Sequence, residues 1–302
     1  MTREKIYLFD TTLRDGQHTP GIDFSVEDKI AIATMLDEFG LDYIEGGYPG
    51  ANPTDTAFFD EKRTKSASFV AFGMTKRAGI SASNDPGLAS LLQAKSDAIC
   101  FVAKSWDYHV KVALGCTNEE NLESIAESVK AAVNAGKEAL VDCEHFFDGY
   151  KANPTYALAC AKAAYDAGAR WVVLCDTNGG TQPPEIRAIV EAVIACGVPG
   201  HCLGIHAHND TGQAVANSLA AVEAGVRQIQ GTLNGIGERC GNANLVTLIP
   251  TLALKRAYSE RFETTIDAER LVGLTGLSHA FDELLNRSPD HQAPYVGASA
   301  FA

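Results

Sequence analysis

The sequence predicts an α/β fold, a (β/α)8 TIM barrel over residues 1–255, with a short C-terminal helical extension over 256–302. Three observations predict it. A helical stretch that ends in glycine and runs within a few residues into an apolar strand recurs at Gly40, Gly136, Gly168 and Gly225. Glycine just past a helix supplies the left-handed cap, so each of these reads as a step from helix to strand. Eight short apolar runs follow one another at the spacing of βα units. Finally, no GxGxxG follows the first strand, which favours a closed ring over a doubly wound dinucleotide-binding sheet.

Taken in order, the first strand is Tyr7–Asp10 and the first helix Val26–Phe39, with apolar residues at Ile30, Ala33, Met35, Leu36 and Phe39. The second strand lies in the EFGLDYIEGG stretch around Gly40, the third is Phe69–Phe72 and the fourth Ala98–Ala103. NAGKEALVDCE carries the fifth and DAGARWVVLCDT the sixth. Helix Glu185–Cys196, strand Leu203–His206, helix Thr211–Ala224 and the strand in EAGVRQIQGTLNG complete eight units. Such strands, apolar at consecutive positions and alternating with helices, imply a parallel sheet buried on both faces. Beyond them, Thr265–Asn286 reads as one or two helices and Ser288–Ala302 as a loop rich in Pro, Gly, Ala and Ser.

Composition narrows the function. With 25 Lys+Arg against 38 Asp+Glu the net charge is −13, the opposite of the basic footprint of a nucleic-acid binder. No apolar run approaches a membrane span, and the N-terminus has no signal-peptide core. Eight cysteines are scattered singly without a CxxC pair, which indicates a reduced, cytoplasmic protein rather than a disulfide or zinc-ribbon scaffold.

Active sites of such barrels lie at the C-terminal ends of the strands. There the sequence places Asp10–Gly16, Glu45-Gly46-Gly47, Asp142-Cys143-Glu144-His145, Asp176-Thr177-Asn178, His206–Asp210 and Thr232–Gly235. His206 and His208 stand at i and i+2 on a strand, so both imidazoles point to one side. Asp15 supplies a carboxylate from a nearby strand and Asn242 a fourth ligand, a mixed set that suits a divalent metal ion: Mg, Mn, Zn or Co. Arg14 beside Asp15 can grip a substrate carboxylate or stabilise an enolate or alkoxide. Thr177 is a donor to the same carboxylate or a helix N-cap, Asp142 a further substrate contact, and Glu144 a proton-transfer group or a structural carboxylate. Asn234, Gly235 and Gly237 begin a glycine-rich loop whose amides could meet an anionic cofactor, although an ordinary turn explains it as well.

Together, DTTLRDGQ at 10–17, HAHND at 206–210 and NGIGERCGNANL at 234–245 resemble the DRE-TIM metallolyase superfamily, in particular its branch of 2-isopropylmalate, homocitrate and citramalate synthases. KSWDYHV at 104–110, DCEHFFDGYKANP at 142–154 and LCDTNGGTQP at 174–183 are most similar to the citramalate synthase group. The resemblance implies a metal-dependent Claisen condensation of acetyl-CoA with pyruvate or another 2-oxo acid, such as 2-oxoisovalerate, in branched-chain amino-acid biosynthesis. It implies that Asp15, His206, His208 and Asn242 hold the ion and that the 2-oxo acid chelates it. Arg14 then sits at the keto oxygen, Thr177 at the carboxylate, and Glu144 supports the acceptor or the proton traffic. A homodimer is expected.

The same resemblance sets two expectations at the C-terminal end. The sequence stops at Tyr295–Ala302, where relatives continue into a histidine-bearing subdomain, so 256–302 reads as the start of a truncated linker. A chain so limited is expected to bind metal and 2-oxo acid but to condense poorly. Two other readings stay open. One is a carbon–carbon lyase of the hydroxymethylglutaryl-CoA lyase or 4-hydroxy-2-oxo acid aldolase type, although Cys240 lies within GERCGN, which fits the synthases better. The other is a non-catalytic barrel that only binds a metal and a small acid.

Overall fold

The computed structural model describes residues 3–301. Its centre is a closed barrel of eight strands paired in sequential order. They are β1 (Tyr7–Asp10), β2 (Tyr43–Gly47), β3 (Ser68–Met74), β4 (Ala98–Lys104), β5 (Glu138–Glu144), β6 (Trp171–Asp176), β7 (Leu203–Ala207) and β8 (Gln228–Gly231). All pairings are parallel, and β1 closes the ring by pairing Tyr7 with Gln228 and Asp10 with Gly231. Each expected strand is present, and those given bounds extend by no more than two residues at either end.

Side chains alternate between two cores. Phe9, Tyr43, Val70, Ala98, Cys100, Leu140, Trp171, Val173 and Cys175 pack inside the barrel. Their neighbours along each strand, such as Leu8, Ile44, Phe69, Ile99, Val141, Val172 and Ile205, face the surrounding helices. The period-two geometry of a strand imposes this split, and burial on both faces explains why the runs are apolar without interruption. Inside the barrel, Trp171 Nε1 donates to Tyr43 Oη at 3.0 Å, so the largest buried ring keeps its polar atom paired.

Helix boundaries follow local chemistry. Helix Val26–Phe39 starts at a capping box between Ser25 and Asp28 and stops at Gly40, whose φ of 106° is open to glycine. The expected helix at Thr211 begins only at Ala214, because Asn209 Oδ1 accepts the Ala214 amide at 3.2 Å across an intervening turn.

The segment after residue 255 holds helices Arg256–Ser259, Ala268–Val272 and Leu274–Leu284. It also holds a two-residue strand, Phe262–Glu263, that pairs in parallel with Glu4–Lys5. That small sheet was not expected, because two residues are too few to show a period. The helix Leu274–Leu284 is tied to the barrel by Asn234, whose Nδ2 donates to the Ser278 carbonyl at 3.1 Å and to Asp282 at 2.9 Å. Among the described residues no helix is long and apolar enough to cross a membrane.

Candidate metal centre

Three barrel elements deliver the candidate ligands. After β1 the chain turns so that the Thr11 carbonyl accepts the amides of Arg14, Asp15 and Gly16 at 3.2, 2.8 and 3.1 Å. Asp10 braces this turn by accepting from the Thr12 amide at 2.9 Å and the Thr12 hydroxyl at 2.7 Å. Asp15 thereby points across the barrel mouth toward the end of β7. His206 and the residue just past that strand, His208, project the same way. Asp15 Oδ2 lies 3.1 Å from His206 Nε2 and 3.7 Å from His208 Nε2, and the two imidazole nitrogens are 3.3 Å apart.

These spacings fit a cation. Ligand atoms bonded at about 2.1 Å in octahedral geometry are about 3 Å from one another. Asp15, His206 and His208 are each no more than 4% exposed. Asn242, bridged to His208 through the backbone, is as buried, and its Oδ1 has no hydrogen-bond partner among the described residues. The two imidazoles and the carboxylate form a donor set that suits a positive charge, and the unpaired buried amide oxygen on the residue bridged to His208 is the candidate fourth donor. The loop that carries it depends on Gly237, whose φ is +154° and where a Cβ would meet Asn242 Nδ2 at 2.1 Å.

Electrostatics agree. Burial pushes the Asp15 carboxyl up, but the Arg14 guanidinium and hydrogen bonds with His18 and His206 outweigh it and hold it well below the usual range. Burial, reinforced by the neighbouring His206, drives His208 down to about 3 and keeps its imidazole neutral. For His206, burial is overcome by the hydrogen bond and charge of Asp15, and its basicity rises.

Arg14 stands next to this centre. Its Nε donates to Glu45 Oε2 at 2.7 Å, its guanidinium carbon lies 3.9 Å from the Phe72 ring centre, and its Nη1 is 3.8 Å from Asp15. Glu45 also accepts from the Thr11 hydroxyl at 2.5 Å. Glu45 follows Tyr43 by two residues and so faces the barrel interior as Tyr43 does, and a register shift follows between Glu45 and Gly47. Gly47 has φ +137°, and a Cβ there would meet Asp55 at 2.5 Å. Beneath it Lys29, fully buried, donates to the Gly46 carbonyl at 3.0 Å and pairs with Asp55.

The remaining expected residues divide. Thr177 Oγ1 accepts the His145 amide at 2.8 Å, which leaves its hydroxyl proton free to donate. Glu144 forms an ion pair with Lys104 at the rim. Asp142 accepts from Gln230 Nε2 at 3.0 Å inside the barrel, and Gln230 Oε1 lies 2.8 Å from His206 Nδ1. The loop amides are engaged within the protein: Gly235 donates to Thr232 O at 3.3 Å and Gly237 to the Thr19 hydroxyl at 2.7 Å. Asn234 spends its side chain on Ser278 and Asp282. Gln230, Phe72 and Lys29 gave no functional signal in the sequence, and Lys104 stood only as the first residue of the KSWDYHV stretch. Glu45 did stand among the rim residues, but its pairing with Arg14 is visible only across the barrel.

Residues 5–277 match the HMGL-like family. The chain is 50% identical over 302 residues to an (R)-citramalate synthase of Aquifex aeolicus, covering 99% of this chain and 56% of that protein. It is 36% identical to a 2-isopropylmalate synthase of Stenotrophomonas maltophilia, covering 100% of this chain and 57% of that one. Among solved structures, a hydroxymethylglutaryl-CoA lyase from Pseudomonas aeruginosa superposes with a TM-score of 0.75 at 22% identity, covering 95% of both chains. The chain thus spans little more than half the length of the curated relatives it matches.

Proposed function

The chain belongs to the HMGL-like family, and on that premise we propose that it forms the catalytic barrel of a metal-dependent synthase joining acetyl-CoA to a 2-oxo acid, with pyruvate as acceptor and citramalate as product. The observation that carries this reading is the convergence of Asp15, His206 and His208 beside Arg14 in a chain about half identical to several (R)-citramalate synthases. The lyase reading has only the shared fold in its favour.

Asp15, His206, His208 and Asn242 would hold the divalent ion, Mg, Mn, Zn or Co. Once bound, the ion supplies a Lewis acid and a template for the acceptor. Arg14 has its Nε taken by Glu45, so its two terminal nitrogens remain for the developing charge on the keto oxygen. The Thr177 hydroxyl donates to the substrate carboxylate. Glu144, at the rim, paired with Lys104 and only partly buried, supports the acceptor or the proton traffic. Asp142 is directed inward to Gln230 and acts on the acceptor only through the shape of the pocket floor. We place the enzyme in the cytoplasm, where its eight singly spaced cysteines stay reduced.

The test is calorimetric titration of pyruvate and of 2-oxoisovalerate into the Mn2+-loaded protein, followed by thiol release from acetyl-CoA. Pyruvate is expected to bind only with the ion present and to outcompete 2-oxoisovalerate. Failure of either acid to bind the loaded protein overturns the proposal, and preference for the branched acid moves it to isopropylmalate synthesis.

A further inference from the structure

His206 is one ligand of the centre, and only one of its two nitrogens can face the ion. On its far side Nδ1 lies 2.8 Å from Gln230 Oε1, and Gln230 Nε2 lies 3.0 Å from Asp142 Oδ1. All three residues are buried, so no solvent competes. A carboxylate oxygen only accepts, and Asp142 therefore turns the amide nitrogen of Gln230 toward itself. The amide oxygen is left facing His206, where it too only accepts. His206 Nδ1 then donates its proton to that oxygen, and Nε2, the nitrogen that faces Asp15 and His208, is the one left to ligate once the ion is bound.

His208 has no such partner. Its Nδ1 is buried without a hydrogen bond, so none of the described residues sets its tautomer. The two histidines of one motif are held differently, one by a built chain of contacts and one by packing alone.

We propose that Gln230 is a positioning residue that relays the acceptor character of Asp142 to His206 and so fixes the ligating tautomer of that histidine. This rests on the metal-centre reading above. Outer contacts that orient a metal-bound histidine typically change metal affinity by about 10- to 100-fold when removed. The relay also predicts a specific dependence. Asp142 matters only because an amide has two unlike ends. Replace the amide by a carboxylate, whose two oxygens are alike, and an accepting oxygen faces His206 whichever way it turns, with any proton shared with Asp142 held between the two acids.

The experiment is calorimetric Zn2+ titration of the whole protein and of the variants Gln230→Met, Asp142→Asn, Gln230→Glu and the double variant Asp142→Asn/Gln230→Glu. Nitrogen-15 spectra of the histidine rings accompany it, and thermal unfolding of the metal-free proteins verifies folding. Gln230→Met and Asp142→Asn are expected to bind Zn2+ about 10- to 100-fold more weakly. Gln230→Glu stays within about threefold of the parent, and adding Asp142→Asn to it changes nothing further. In the Zn2+-loaded proteins the ring spectra show a proton at His206 Nδ1 and a metal-bound Nε2 in the parent, and a mixture of tautomers in Asp142→Asn. Equal affinity and an unchanged His206 tautomer in Asp142→Asn would overturn the relay, as would an Asp142→Asn loss that persists in the Gln230→Glu background. Absence of Zn2+ binding by the parent would instead overturn the metal centre itself.

Discussion

Arg14 Nε is 2.7 Å from Glu45 Oε2, a contact between the turn after β1 and the end of β2 that fixes which guanidinium nitrogens face the barrel mouth. Glu45 is fully buried and the Arg14 side chain is 14% exposed, so neither charge is well solvated without the other. Glu45→Gln leaves the guanidinium without its main counter-charge and is expected to lower stability by about 3 kcal/mol. Urea unfolding measures it, and a change under about 0.5 kcal/mol, the range of ordinary surface substitutions, would show that Asp15 alone balances Arg14.

Lys29 and Asp55 make a second buried pair, under the Gly46–Gly47 turn. Lys29→Met strands the Asp55 carboxylate and is expected to lower stability by about 3 to 5 kcal/mol. Lys29→Met with Asp55→Leu should recover much of that loss, because both charges are then gone. Denaturation of the three proteins side by side decides it: a double variant no better than the single one would mean that the turn needs the Asp55 hydrogen bonds rather than charge balance.

Removal of the ion has its own signature. The metal-loaded protein is expected to unfold at a higher temperature than the same protein in excess chelator, by an amount that grows with metal concentration. Asp15→Ala should unfold at one temperature in both conditions, and a metal-dependent rise that survives in this variant would place the ion elsewhere.

Asp10 makes stability depend on pH. Burial raises its carboxyl from 3.8 to about 7, against the lowering effect of the Thr12 hydrogen bonds. The folded state therefore holds this proton more tightly than the unfolded chain does. The stabilisation is complete below the unfolded value of 3.8 and fades as pH rises through about 7. Asp10→Asn, neutral throughout, should lack this decline. Parallel stability curves for the two proteins between about pH 5 and 8 would show that Asp10 ionises without penalty.

Much of the architecture was legible because it repeats. Glycine at helix ends and uninterrupted apolar runs are local signals, and they located β1 to β8. The His206/His208 pair was legible for the same reason, since two residues on one strand share a face. Gln230, Phe72 and Lys29 were not, because each matters through a contact that only barrel closure creates. The loop at Asn234 misled in another way: a glycine-rich stretch suggests free amides, whereas here Thr19 and Thr232 already accept them. The strands at Glu4–Lys5 and Phe262–Glu263 are too short to leave a pattern.

The ring closes where β8 meets β1, and that seam also divides the ligands. Asp15 follows the first strand, while His206, His208 and Asn242 come from the seventh strand onward. During synthesis, then, the carboxylate emerges long before its partners and spends most of translation with no ion to share. No intermediate built from the first four or six strands holds more than one of these ligands. Uptake of the ion reports on the last act of folding, and a metal-sensitive signal in a refolding experiment would time the moment the cylinder becomes whole.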